Sequence, residues 1–118
     1  LCDRLGYERY WLAEHHSSEA LAGSTPEVLI ARVAGLTERI RVGSGGVMLP
    51  HYSAYKVAEN FRMLETLFPG RIDLGIGRAP GSDQRTMRIL ADGKPNWSNA
   101  DKYPYQVRDL VAWLHDAL

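Results

Sequence analysis

The sequence has a single cysteine, Cys2, in 118 residues, no excess of either charge and no long apolar run. A lone cysteine cannot close an internal disulfide, which fits a reducing, cytoplasmic setting. Fourteen Lys and Arg balance fourteen Asp and Glu, so charge offers no case for nucleic acid or an anionic membrane surface as partner. No stretch approaches the roughly 18–20 apolar residues that a membrane span needs, and the start carries no signal-peptide pattern. An initiator methionine is also lacking. Leu1-Cys2-Asp3-Arg4-Leu5-Gly6 reads as the end of a helix with a glycine stop, and so as a chain that begins inside an element. What is present is ordinary for a globular domain: 45% hydrophobic and 24% charged residues, enough for one core.

Periodicity and punctuation divide the chain into alternating strands and helices. Glu8 to Ala13 is short and aromatic-rich, which predicts a strand, and the polar stretch from Glu14 to Gly23 predicts a loop. A helix start follows. Either Ser24 caps with Glu27 closing a capping box, or Thr25 caps with Pro26 at the first helical position. This helix is expected to reach about Arg39, with Leu29, Val33 and Leu36 on one face and Ile30 and Ala34 beside them. Ile40 to Val47 predicts a glycine-rich second strand, and Met48 to Ser53 a loop. The spacing of Val57, Phe61, Leu64 and Phe68 predicts a helix from about Tyr55 to Leu67, which Pro69-Gly70 ends. Arg71 to Gly77 predicts a third strand and Arg78 to Ser82 a loop. Asp83 is placed to cap a short helix through Leu90. Residues 92–101 are polar and carry no strand signal. A last helix is expected from about Pro104, with Val107, Val111, Leu114 and Leu118 on one face.

Strands recurring roughly every 30 residues with helices between them indicate α/β architecture with a parallel sheet. In such folds ligands sit beyond the carboxyl ends of the strands. Glu14-His15-His16 follows the first strand, Gly45-Gly46 closes the second with His51 just after, and Arg78 follows the third, so acid, base, glycine and cation converge on one rim. The residues alone leave several readings open. A histidine of the pair is a general acid or base, or both are exposed loop residues, or they bind a metal, although adjacent rings point apart and no HExxH spacing occurs. Glycines inside a strand mark close approach by another group, here a flat cofactor or a packed helix. Arg78 grips a phosphate or pairs with Asp83 or Glu14. Gly75-x-Gly77-x-x-x-Gly81 is one residue too long for the dinucleotide fingerprint. The three tryptophans and six tyrosines are assigned to core packing rather than to base stacking, and His115 to an exposed helix face.

Three linked motifs then resemble one family. Tyr10-Trp11-Leu12-Ala13-Glu14-His15-His16, Arg41 to Pro50 and Pro69 to Gly81 are similar, in order and spacing, to the bacterial luciferase-like flavin monooxygenases, and within them to the MsnO8-like group. The resemblance implies a (β/α)8 barrel of which this chain supplies about three βα units, strands 2–4, without the first strand or the C-terminal half. It implies reduced FMN as cofactor, delivered by a separate flavin reductase, and reaction with O2 to oxidise a small organic substrate, an aldehyde in the true luciferases. His15 aligns with the catalytic histidine, Glu14 with a residue near the flavin, Gly45 and Gly46 with a pair joined by a non-prolyl cis peptide against the flavin ring, and Arg78 with an arginine on the FMN phosphate. No metal is implied.

Two departures stand out. Gly77 occupies the place of a reactive cysteine in luciferase α subunits, so light emission is not implied. His51-Tyr52-Ser53-Ala54 differs from the commoner Asn-His-Ser-Pro. A non-catalytic flavin-binding relative and a deazaflavin-dependent oxidoreductase share the same expected fold. A partial barrel exposes two sheet edges and an apolar face, so a homo- or hetero-oligomeric state is expected.

Overall fold

In the computed structural model, which describes residues 1–79, 82–93 and 101–116, strands and helices alternate as the periodicity predicts. The order is β1 (Arg9–Leu12), α1 (Pro26–Gly35), β2 (Arg41–Met48), a short 3-10 turn (Leu49–His51), α2 (Ala54–Leu67), β3 (Ile72–Gly77), α3 (Gln84–Leu90) and α4 (Tyr103–Leu114). The strands form one parallel sheet in the order β1-β2-β3. Arg9 to Leu12 pair with Arg41 to Ser44, and Val42 to Ser44 pair in turn with Ile72 to Leu74. The chain is thus α/β, a partial (β/α)8 barrel with its strand ends on one edge. Among the described residues no helix is long and apolar enough to cross a membrane.

The core lies between the sheet and its helices. Ile30 and Ala34 of α1, and Val57, Ala58, Phe61 and Leu64 of α2, bury against Ile40, Val42, Val47 and Leu49, and Leu110 of α4 joins them. The α2 stripe is the one that its spacing predicts. Two other stripes differ. In α1 the buried line is Pro26, Ile30 and Ala34, while Leu36 is 66% exposed. In α4 the inward line is Val107, Leu110 and Leu114, and Val111 is 50% exposed. Both helices have apolar residues on more than half of their circumference, so the partner surface, not the periodicity, selects the face. Leu118 lies outside the described residues, as do Trp97, Pro80 and Gly81, and with Gly81 the end of the glycine-spaced motif.

α1 also stops at Gly35 rather than near Arg39, and the reason is tertiary. The Asp3 carboxylate accepts from the backbone N–H groups of Glu38, Arg39 and Ile40 at 3.0, 3.0 and 2.7 Å. These donors are therefore unavailable to a further helical turn. From the other side the Arg71 guanidinium donates to the carbonyls of Ala34, Thr37 and Ile40 at 3.1, 2.8 and 2.9 Å. Thr25 is the N-cap with Pro26 following, as in the second of the two expected starts, but its side chain makes no capping bond. The N-terminal turn that carries Asp3 closes as the sequence suggests. The N–H of Gly6 donates to Asp3 O and that of Tyr7 to Cys2 O, with Gly6 at φ +81°, a Schellman pattern.

Among the described residues, nothing packs on the face of the sheet away from the core. Trp11 is 58% exposed, against the expectation of core packing, because β1 is an edge strand and nothing described packs on that side of it. There Asp73 ties the strands together. It accepts from Trp11 Nε1 at 3.0 Å and from Arg41 Nε at 2.9 Å, and pairs with Arg9 at 3.2 Å. Burial raises the Asp73 carboxyl, but the hydrogen bonds from Arg41 and Trp11 and the neighbouring cations outweigh it and hold the group below its usual range. Asp3 is held at about 2 by its backbone donors, those of Glu38 and Ile40 foremost.

Both aspartates have folded-state values below their unfolded ones. Their stabilisation is therefore full above the unfolded carboxylate range, about 4, and is lost as pH falls through the folded value. Thermal midpoints should hold steady from neutrality down to roughly pH 5 and then fall toward about pH 2, and Asp3→Asn should flatten that fall; an unchanged profile in the variant would refute the role given to Asp3. Arg71→Lys keeps the charge but loses the planar fork, and should cost about 1–2 kcal/mol in urea unfolding.

Candidate functional site

The three strands end together, and the loop that leaves β1 turns back over the end of β2. Glu14, two residues past β1, is 0% exposed. A buried carboxylate needs hydrogen-bond donors, and Glu14 has three. The Met48 backbone N–H donates to Oε2 at 2.7 Å, His16 Nε2 lies 2.7 Å from Oε1, and the Tyr52 hydroxyl donates to Oε1 as well. Loop, strand end and 3-10 turn are joined through this one side chain. Burial first, then the hydrogen bond to Glu14 and its charge, push the Tyr52 hydroxyl above the usual tyrosine range, so it remains a protonated donor. The His51 ring stands edge-on to both His16 and Tyr52, with centroids 5.9 and 6.1 Å away.

The two histidines of the pair are therefore unequal. His15 is exposed; its backbone N–H donates to Gly23 O at 3.0 Å and closes the loop. His16 turns inward to Glu14, with 11% of its side chain exposed. Adjacent side chains on an extended loop point opposite ways, which is why one faces outward and the other inward.

Gly45 and Gly46 divide in the same manner. Their peptide bond is cis. The pairing slips here, for Gly45 and Gly46 lie between the paired Ser44 and Val47 on β2 where Gly75 alone lies between Leu74 and Ile76 on β3, the extra residue of a β-bulge. A methyl group on Gly46 would lie 2.8 Å from the Gly75 backbone, so this glycine admits the neighbouring strand. The close approach inside β2 thus comes from β3 rather than from a helix. Gly45 is different: alone in β2 it is exposed, beside Trp11, whose Cβ would be 3.3 Å from an added methyl. Bare backbone is open there to a flat ring.

Arg78 follows Gly77, the register partner of Met48, so its backbone leaves the sheet beside the Glu14 cluster. The side chain is exposed, and among the described residues its guanidinium makes no hydrogen bond or ion pair. Neither acid weighed as its partner is available: Glu14 is enclosed, and Asp83 caps α3 by accepting from the Thr86 N–H at 2.8 Å. The rim is braced across its width by Thr86 Oγ1, which donates to Ser17 Oγ at 2.8 Å.

The structure thus sets His15, Gly45 and Arg78 on the open rim and Glu14 and Gly46 beneath it. Sequence reasoning assigned Tyr52, with the other tyrosines, to core packing and missed its bond to Glu14. Its only local signal was a phenol in an otherwise small and polar turn, and its partner lies 38 positions away.

A parallel sheet with βα units and polar residues gathered at the strand ends is the arrangement of a segment of a (β/α)8 barrel. The luciferase-like monooxygenase family model matches residues 1–118, and the chain belongs to that family. It is 50% identical over 114 residues to a luciferase-like monooxygenase of Escherichia coli K12, covering 97% of this chain and 33% of the relative. It is 57% identical over 90 residues to the N-acetyl-S-alkylcysteine monooxygenase of Bacillus subtilis, covering 76% and 27%. Among solved structures, apo-MsnO8 superposes with a TM-score of 0.88 at 50% identity, over 96% of this chain and 33% of that one. The oxygenating constituent of the Pseudomonas putida 3,6-diketocamphane monooxygenase, in complex with FMN, superposes at 0.73 with 25% identity, over 96% and 30%. The chain spans about a third of the length of these proteins.

The Glu14 cluster is testable as a unit. Glu14→Gln offers one acceptor oxygen where three donors converge, so it should lower stability by about 1–3 kcal/mol in chemical denaturation; an unchanged midpoint would show that the cluster does not hold the loop.

Proposed function

We propose that this chain carries the flavin-binding rim of an FMN-dependent monooxygenase acting on a small organic substrate. The observation that carries the reading is the exposed backbone at Gly45, with an Arg78 guanidinium at the neighbouring strand end that has no partner among the described residues. A planar ring needs a surface without side chains, and a ring-bearing phosphate needs a cation that no carboxylate has claimed. Both are present, and the residues fit FMN. Family membership and the FMN-bound relative of the same fold support the assignment.

Bound reduced FMN would supply the two electrons with which O2 places one oxygen atom on the substrate and releases the other as water. The chain's own residues provide the setting. Gly45 presents backbone to the ring, buried Gly46 lets β3 pack close beneath it, and Arg78 holds the phosphate. Exposed His15 is the catalytic histidine, exchanging protons with the ligand. Glu14, enclosed by its donors, acts from below by fixing the floor on which the cofactor lies. FMN reaches the site reduced, from a separate flavin reductase, in a cytoplasmic homo- or hetero-oligomer, with the chain contributing strands 2–4 of the barrel.

Titration with oxidised FMN, followed by flavin fluorescence, tests the reading, with reduced FMN added anaerobically. Saturable binding is expected, with Arg78→Ala weakening it roughly tenfold to a hundredfold, the worth of a charged hydrogen-bonded contact. His15→Ala should leave affinity intact while abolishing turnover. A folded chain that binds a deazaflavin in preference to FMN would overturn the assignment.

A further inference from the structure

We propose that Tyr52 is a positioning residue of the rim: with the Met48 amide it holds the Glu14 carboxylate so that His16 turns Nε2–H to Glu14 and keeps Nδ1 as its proton-accepting nitrogen. Its use in catalysis rests on the reading of the rim as the flavin site; the geometry itself does not. The Met48 amide is a fixed donor and can only be met by an acceptor, which anchors Oε2. Tyr52 is a protonated hydroxyl and contributes a second hydrogen to Oε1. The imidazole reaches the same oxygen at 2.7 Å. A carboxylate accepts and does not donate, so the ring nitrogen facing it carries the hydrogen, and the neutral ring has its lone pair on Nδ1.

This is the arrangement in which a carboxylate orients an imidazole for acid–base work. A proton taken from a bound molecule at Nδ1 leaves an imidazolium beside the Glu14 carboxylate, and the reverse transfer restores the neutral ring. With 11% of its side chain exposed, the His16 ring is not sealed from solvent. His15 has no such carboxylate, its ring making no hydrogen bond among the described residues. The pair therefore splits its duties, with His15 on the open surface and His16 oriented from below. Tyr52 acts only through Glu14.

Side-chain 15N NMR of the histidines in the intact chain tests this, because tautomers give distinct nitrogen shifts. In the wild type, at a pH where the ring is neutral, His16 should be the Nε2–H form. In Tyr52→Phe, Oε1 loses one donor. With that holder gone the carboxylate should no longer fix the ring, so His16 should gain an Nδ1–H fraction and its nitrogen signals should shift, with the His15 signals unmoved. An Nδ1–H form in the wild type overturns the proposal without recourse to any variant. So does a folded Tyr52→Phe chain in which His16 is unshifted. FMN titration of the same samples separates the two claims. FMN binding with wild-type His16 as Nδ1–H sinks the positioning role alone. The Nε2–H form and its shift without FMN binding uphold the positioning role and sink the flavin reading.

Discussion

The arrangement depends on one carboxylate taken wholly out of water. Glu14 is surrounded by a backbone amide from the end of β2, an imidazole from its own loop and a phenol from the turn before α2. A buried charge left without donors costs several kcal/mol, so each donor is held where the carboxylate needs it. The loop after β1 is thereby fixed to the strand beside it. That constraint orients two consecutive histidines differently and makes a rim out of segments far apart in the chain.

The opposite end of the sheet is secured by similar means. Asp3 takes three backbone N–H groups and Arg71 takes the carbonyls around them, so the corner between α1 and β2 is held by one anion and one cation. Charged groups that close backbone corners substitute for regular hydrogen bonding where a helix must stop short. The sheet is then pinned at its entry by Asp3 and Arg71, across its open face by Asp73, and at its exit by Glu14. Between these points the β2–β3 contact is close enough to demand glycine at position 46. The bulge it accompanies brings Gly45 to the surface as bare backbone. Open backbone and tight strand packing thus come from adjacent residues with opposite tasks.

Much of this was legible without coordinates. Element order, strand positions and the α2 stripe follow from periodicity and from Pro and Gly punctuation. The Asp83 cap also follows from local sequence, since its partner Thr86 lies three residues on. The three motifs around Glu14, Gly45 and Arg78 identified the family, because their spacing reflects strand ends that meet on one edge. The buried faces of α1 and α4 were not legible. Leu29 and Leu36 are as apolar as Ile30, and only the position of the sheet decides which of them it covers. Trp11 was misplaced for the same reason: an aromatic in a strand signals burial only if something packs on that side.

By itself the sequence determined what short-range chemistry can specify: where helices begin, where strands run, and which polar residues lie just past a strand end. Tertiary structure alone decided where α1 ends, which histidine turns inward, which glycine stays open and what surrounds Glu14. The physical reason is separation along the chain. Met48 and Tyr52 lie 34 and 38 positions from Glu14, and Asp3 reaches donors 35 to 37 positions away. Hydrogen bonds over such distances leave no local pattern, so the choice between a solvated loop and a built site was made only when the strands came together.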